Sequence, residues 1–280
     1  MKKHVTTFIS ILFCLLIYSQ NKQGKVIYEF DVNLEDYLDN YAYKAELIFD
    51  TEQTHFVYNS IQLEGKSSVD FDTEIKHKEN HFASVRRIFE NNGLIVHHDL
   101  STKRIISKVL LANKYLVLVK QDSIKFNWNI TNTQKKIGEY KAYKAYTDYM
   151  GRVYEAWFTY EIPLPIGPWK FSGLPGLILE VKDEYNQIII NFKKLVYPIK
   201  KARVFTKPTG GEEMKLEEFL EENYRLYLSQ IETAKAVMAA RNIKVNNTFK
   251  PLPYYSIEFL PKQEFLLEEL FNCEDSQDKK

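Results

Sequence analysis

The chain has 280 residues, and its 38 Lys and Arg against 37 Asp and Glu give a formal net charge of +1. A charge balance this even gives no reason to expect nucleic acid or an anionic membrane surface as a partner. The length allows one large domain or two small ones. The abundance of aromatic residues, 19 Tyr and 18 Phe beside only 10 Gly, favours pleated strands.

Residues 1–20 have the pattern of a secretory signal peptide. Two lysines precede an apolar run at residues 5–17, which is too short to span a bilayer. Ser19 is a small residue that offers a cleavage site before Gln20. We therefore expect residues 21–280 to form a mature chain without a transmembrane segment, exported to the periplasm or cell envelope or released from the cell.

The two cysteines give the fold no internal cross-link. Cys14 lies in the predicted signal peptide, and Phe13 stands before it where a lipoprotein signal has a small residue. Cys273 is then the single cysteine of the mature chain, so it has no partner within that chain. The core alone must hold the fold. An uncleaved anchor and lipidation at Cys14 are the alternatives to cleavage.

Alternation of apolar and polar residues predicts antiparallel strands along most of the mature chain. At residues 26–32, Val26, Tyr28 and Phe30 share one face, as expected for a sheet with one wet face. Residues 59–80 are polar and predict a surface loop. Comparable strand patterns recur at residues 43–49, 54–58, 85–89, 94–98, 104–110, 115–119, 140–147, 152–159, 177–181 and 187–192, with a further edge strand expected at 254–259.

One long helix is predicted at residues 212–241. Its apolar residues recur at spacings of three and four and form a single stripe: Leu216, Leu220, Tyr224, Tyr227, Ile231, Ala234 and Met238. The strands precede this helix without βαβ alternation, so the helix should cover one face or end of the sheet. The sequence thus predicts a single mainly-β domain of the α+β class at 21–280. This domain would be a curved antiparallel sheet or half-barrel with the helix packed on it and a polar C-terminal tail.

Residues 161–181 hold four of the nine prolines and three of the ten glycines. Proline restricts φ and glycine permits positive φ, so this segment should follow one defined path without regular pairing. Glycine directly after proline is what a type II turn requires. We therefore predict a turn centred on Pro175 and Gly176 with positive φ at Gly176, and burial of Leu174 and Leu177.

The hexapeptide at residues 173–178, preceded by Gly-Pro-Trp-Lys-Phe at 167–171, resembles the signature of the GLPGLI family of the Bacteroidetes. Its first five residues are Gly173, Leu174, Pro175, Gly176 and Leu177, and the similarity extends upstream to Gly138. Many members carry cysteine where this chain has Ala142, so a thiol role is absent at that position. The resemblance implies an exported protein of unknown function and transfers no catalytic residues.

Three aromatic and two basic residues near the signature are the candidate ligand-binding residues: Trp157, Trp169, Phe171, Arg152 and Lys170. The aromatic rings could line an apolar pocket beside the restricted backbone, or they could fill the end of the sheet and fasten the segment to the core. The basic side chains could contact an anionic ligand or form salt bridges with Glu161 or Glu180.

Catalytic and metal-binding patterns are weak. Residues 77–81 place two histidines four apart without the glutamate position of a zincin motif, and His97 and His98 would point to opposite faces of a strand. No serine lies in a G-x-S-x-G elbow. The sequence therefore predicts no metal and no cofactor.

Two functions follow as hypotheses. The first is a non-catalytic envelope protein that binds a hydrophobic ligand or an envelope partner. The second is a carboxylate-dependent hydrolase outside the cytoplasm, because Asp and Glu are plentiful and a spatial pair could form. Neither the activity nor the ligand, the partner or the oligomeric state can be read from the sequence.

The predicted signal peptide makes a direct prediction about the mature protein. N-terminal sequencing of the exported protein should begin within a few residues of Gln20, because the apolar run ends directly before Ser19. A mature protein that retains residues 5–17 would instead be anchored, and the expected localisation would be wrong.

Overall fold

The computed structural model describes residues 23–32, 42–58, 60, 74–76, 82–84, 93–112 and 115–240. The predicted signal peptide, the strands expected at 85–89 and 254–259 and the C-terminal tail lie outside these residues. The described strands are β1 (Gly24–Val32), β2 (Ala42–Phe49), β3 (Gln53–Tyr58), β4 (Glu74–Lys76), β5 (Phe82–Ser84), β6 (Leu94–Asp99), β7 (Arg104–Leu111), β8 (Tyr115–Asp122), β9 (Asn129–Ile137), β10 (Tyr140–Tyr149), β11 (Arg152–Thr159), β12 (Leu177–Asp183), β13 (Ile188–Val196) and β14 (Glu212–Lys215).

Twelve of these strands form one open sheet, in the order β14-β8-β7-β6-β3-β2-β1-β13-β12-β11-β10-β9. The sheet consists of two antiparallel meanders, one from β1 to β8 and one from β9 to β13, which join where β1 pairs with β13. Only β14 pairs in parallel, with β8. The predicted mainly-β architecture of the α+β class is confirmed, and the sheet is not closed into a barrel.

The alternation of buried and half-buried side chains along β1 shows why this segment forms a strand. Val26, Tyr28 and Phe30 are 0%, 0% and 5% exposed, whereas the residues between them are half-buried. Burying such side chains contributes about 1.5–3 kcal/mol each. The Tyr28 hydroxyl also donates a hydrogen bond of 2.7 Å to the carbonyl of Ile178 on β12, so the first strand is tied directly to the signature strand.

Strand β9 was not predicted from the sequence. Seven of its nine residues are exposed, and its sequence has no alternation of apolar and polar residues. It lies at the end of the sheet and pairs only with β10 among the described strands. A strand of this kind buries little side-chain surface on either face of the sheet. Its backbone pairing with β10, and not a pattern of apolar residues, therefore places it in the sheet.

The predicted helix at 212–241 begins later than expected. Residues Glu212–Lys215 form β14 along β8, and helix α1 spans Leu216–Ala240. Phe219, outside the predicted stripe, is 2% exposed against β7 and β8, whereas Leu216 and Leu220 of the stripe are half-buried. The described contacts thus dock the first turns of the helix on the sheet edge.

Asn223 strengthens this docking. Its side-chain oxygen accepts a hydrogen bond of 2.7 Å from the backbone N–H of Ala112, beyond the end of β7. Asn223 is 4% exposed, so this bond satisfies a buried polar group. No helix in the described part of the chain is both long and apolar enough to cross a membrane.

Replacing Phe219 should show whether α1 depends on this contact. Phe219→Ala is expected to lower the free energy of unfolding by about 3–5 kcal/mol, because it leaves a cavity between the helix and the sheet. Val237→Ala is the matched control on the same helix, since Val237 is 44% exposed, and should change stability by less than about 0.5 kcal/mol. Equal effects in urea unfolding would contradict the described docking.

Candidate functional site

The Pro/Gly segment at residues 160–176 connects β11 to β12 by a series of very tight turns. Backbone N–H groups donate to carbonyls only two residues earlier at Leu164–Ile162, Ile166–Leu164 and Gly176–Leu174, at 2.7–2.8 Å. Each of these turns is centred on a proline: Pro163, Pro165 and Pro175. The restricted φ of proline suits the inverse γ-turn. The proline spacing in the sequence therefore determines the backbone path.

A small hairpin within this segment presents the central aromatic residues. Ile166 and Ser172 form an isolated antiparallel bridge, and the N–H of Phe171 donates to the carbonyl of Pro168 at 3.1 Å. Trp169 lies at the tip with φ of +54°. A bulky residue in this conformation is strained by about 1–2 kcal/mol, so its ring contacts must offset that strain.

Those contacts lie on the inner side of the sheet. Trp169 and Phe171 are 3% and 1% exposed, and their ring centroids are 5.2 Å apart. Trp169 packs edge-on against Tyr149 at 5.8 Å, while Phe171 contacts Tyr154 at 5.0 Å. Phe126, which precedes β9, lies 5.3 Å from Phe171. The segment thus fills the inner face of the second meander with its own aromatic rings.

Lys170 is fully buried between these rings. Its ammonium nitrogen donates to the side-chain oxygen of Gln121 at 2.5 Å and lies 5.0 Å from the centre of the Trp169 ring. Burial holds the pKa of Lys170 well below its ordinary value, because desolvation penalises the charged form. The side chain does not reach solvent in this conformation.

Arg152 forms a buried ion pair at the opposite end of β11 from the signature. Its guanidinium contacts the Asp183 carboxylate and donates to the Gln187 side chain at 2.9 Å. The other oxygen of Asp183 accepts from the N–H of Ile188 at 2.9 Å. The partner is thus Asp183 and not Glu161 or Glu180, and the pair links β11 to the β12–β13 hairpin.

Trp157 lies on the outer face of the sheet, away from the other candidate aromatic residues. Lys135 and Lys144 place their ammonium groups 4.3 and 5.0 Å from the centre of its ring, and the indole N–H donates to Glu155 at 2.8 Å. The ring is 7% exposed under these side chains. The structure therefore separates the candidate residues into an inner group around Trp169 and an outer one around Trp157.

The outer ring belongs to a polar row that crosses the sheet. Strand register aligns Lys144, Trp157, Glu180, Asn191 and Glu29 on five neighbouring strands. Lys135 of β9 pairs with Glu180 across this row, and Lys144 pairs with Glu155 at 3.0 Å. Sequence reasoning missed both lysines, because it did not predict β9 and did not assign the register of β10 against β11.

The glycines of the signature have different roles from the one predicted. Positive φ occurs at Gly173, at +90°, and not at Gly176, so the type II turn prediction is wrong. At Gly176 an added Cβ would lie 1.9 Å from the carbonyl oxygen of Thr159. Gly176 is needed for a close approach of two backbones. Leu174 and Leu177 are both fully buried.

Alanine substitutions should separate these two roles. Gly176→Ala is expected to destabilise the protein by about 3 kcal/mol or more, because backbone and not a flexible side chain blocks the added methyl group. Gly173→Ala should cost about 1–2 kcal/mol, since its added Cβ has space and only φ is strained. Thermal melting of both variants measures the difference, and a larger loss at Gly173 would refute the close-approach explanation.

The acidic side chains with a shifted pKa accept hydrogen bonds from neighbouring residues. The three described carboxyl groups with a shifted pKa, Asp99, Glu155 and Glu222, are all shifted downwards. Within the described ranges, no three His, Cys, Asp or Glu side chains converge as ligands of one ion. The inner group around Trp169 is thus enclosed by the protein, while the outer polar row places paired charges near the surface, where a partner could contact them.

Comparison with known proteins adds a short family similarity. Residues 149–180 match the sequence model of a family described as "Protein of unknown function (Porph_ging)". This stretch holds all five candidate binding residues and the whole signature hexapeptide at 173–178. No curated protein matches the chain.

Two solved structures of PNGF-II, in space groups C2 and P21, resemble the fold. Each has a TM-score of 0.47, at 14% and 16% sequence identity, over 72% of this chain and 33% of the PNGF-II chain. This chain spans about a third of the length of those chains.

Proposed function

We propose that this chain is an exported, non-catalytic interaction module of the GLPGLI type, which binds an extended segment of an envelope protein along the edge of β9 that no described strand covers. The observation that carries the proposal is the position of β9 at the end of the sheet, paired with β10 alone among the described strands. Export rests on the N-terminal pattern of the sequence.

An added strand is the partner that best suits such an edge. The backbone N–H and C=O groups on the outer side of β9 face away from β10, and backbone groups need hydrogen-bond partners when they are buried. Strand addition supplies those partners and uses side chains for specificity. Residues such as Asn132 and Gln134 are exposed and accessible to it.

Charge on β9 favours a partner over a second copy of this chain. Lys135 and Lys136 are both exposed, and the strand contains no acidic residue. Two β9 strands would bring like charges together, which is a known protection against edge-to-edge association. An acidic segment would instead complement the strand and could extend the row of paired charges that begins at Lys135 and Glu180.

The alternatives have less support. A hydrophobic ligand would need space on the inner face, but Trp169, Phe171 and Leu174 fill that face themselves. A carboxylate-dependent hydrolase needs a general acid with a raised pKa. Asp183, the most enclosed described carboxylate, is paired with Arg152. Hydrogen bonds and ion pairs hold the pKa of Asp99, Glu155 and Glu222 below the ordinary value, which is the opposite of what a general acid needs.

Site-specific photo-crosslinking in the native envelope tests the proposal. A photoreactive residue at position 132 or 134 should give an adduct with the same partner, because both positions flank the open edge. Tyr115 is the matched control, since it is 61% exposed and lies on β8 near the other end of the sheet. Thermal melting should show that the substituted proteins remain folded.

The substitution Lys136→Glu should weaken the adduct formed from position 132 at least tenfold, because it reverses an exposed charge on β9 without breaking the Lys135–Glu180 ion pair. Adducts that form from position 115 but not from β9 would overturn the proposed edge. An adduct unaffected by charge reversal would overturn the acidic character of the partner.

A further inference from the structure

His55 and His97 form a pair that the sequence did not suggest. They are direct partners in the antiparallel register of β3 and β6, so their side chains lie on the same face of the sheet. Their ring centroids are 5.7 Å apart, with an angle of 64° between the ring planes. His98, the next residue, points to the other face, where its Nε2 lies 2.5 Å from the Ser123 hydroxyl oxygen.

Three ring nitrogens of this pair are buried without a hydrogen-bond partner in the described part of the chain: His55 Nδ1, His97 Nδ1 and His97 Nε2. An unsatisfied buried polar group costs about 1–3 kcal/mol. His98 on the same strand is satisfied, so β6 does not leave histidines unpartnered in general. Three such atoms in one pair indicate that a bound species supplies the missing interactions.

Both imidazoles are in the form that binds metal ions. Burial and the neighbouring His97 ring lower the pKa of His55 to about 4, and burial and Lys207 lower the pKa of His97. Neutral imidazole offers a ring-nitrogen lone pair. His97 is 1% exposed while His55 is half-buried beside the Phe205 ring, so the pair is enclosed on one side and reachable on the other.

The ring separation suits one shared ion. A ring nitrogen binds Zn²⁺ at about 2.0–2.1 Å, which places the ion roughly 3.2 Å from the centre of the ring. Two rings that share an ion can therefore have centroids up to about 6.4 Å apart. The 5.7 Å between the two ring centroids lies within that limit, so the separation permits one ion between a nitrogen of each ring.

We propose that His55 and His97 bind one divalent transition-metal ion of the class that prefers imidazole, such as Cu²⁺, Ni²⁺ or Zn²⁺. Imidazole suits these ions, and Cu²⁺ binds most tightly among them. The described residues supply no third side-chain ligand, so the remaining ligands would be water that enters past the half-buried His55 ring. The site lies on the outer face of the first meander, separate from both the signature and β9.

Electron paramagnetic resonance of the mature protein with one equivalent of Cu²⁺ tests the site directly. The expected spectrum shows hyperfine structure from two equivalent imidazole nitrogens. The result needs no substitution, so it does not depend on the folding of a variant. A spectrum of free or oxygen-bound Cu²⁺ would mean that water alone satisfies the buried nitrogens, and the inference would be overturned.

Substitutions then locate the ligands. His55→Gln and His97→Gln should each weaken Zn²⁺ binding measured by calorimetry at least tenfold and remove the rise in Tm that a bound ion produces. His98→Gln is the matched control on the same strand and should bind normally. The pair at 77 and 81 has helical spacing and lies outside the described residues. Loss of binding in the double variant His77→Gln and His81→Gln, with His55→Gln unaffected, would assign the ion to that pair and overturn the inference.

Discussion

The pairing of β1 with β13 is the contact on which the whole sheet depends. It joins the first described strand to the end of the second meander through partners from Lys25 and Val196 to Val32 and Ile188. Without the β1–β13 pairing, each meander would have a second unpaired edge, and the core would be divided between two separate sheets. The buried hydrogen bond from Tyr28 to Ile178 crosses the same junction, so closing this long loop also positions the signature strand.

The signature segment completes the core that this pairing creates. Its γ-turns around Pro163, Pro165 and Pro175 need no strand partner, which lets the chain turn across the inner face of an open sheet. Aromatic rings then replace the second layer that a sandwich would supply. The strained backbone of Trp169 and the fully buried Lys170 show that this filling is not optimised for stability alone. The signature is therefore a structural feature whose leucine and isoleucine side chains are enclosed by the protein.

Much of the fold could be predicted from the sequence, because burial leaves a period of two in strands such as β1 and β11. The same reasoning failed in two places. The exposed β9 has no such period. The predicted helix included Glu212–Lys215, whose pairing with β8 depends on residues nearly a hundred positions earlier in the chain. The candidate binding residues lie close to the signature in the chain. Their division between two faces could not be predicted, because Trp169 and Phe171 lie in an irregular segment, where no strand alternation places side chains on a face.

The sequence by itself determined the fold class, the position of most strands and the irregular, turn-rich backbone of residues 161–181. These features follow from local patterns of apolar residues, proline and glycine. The tertiary structure alone decided which glycine faces a backbone and which has positive φ, that Arg152 pairs with Asp183, and that His55 lies opposite His97. The glycine roles depend on how the irregular segment packs against β11, and the two side-chain pairs depend on the register of strands that are apart in the chain. A local pattern carries no information about such contacts, because strand order and register are set by the packing of the whole sheet.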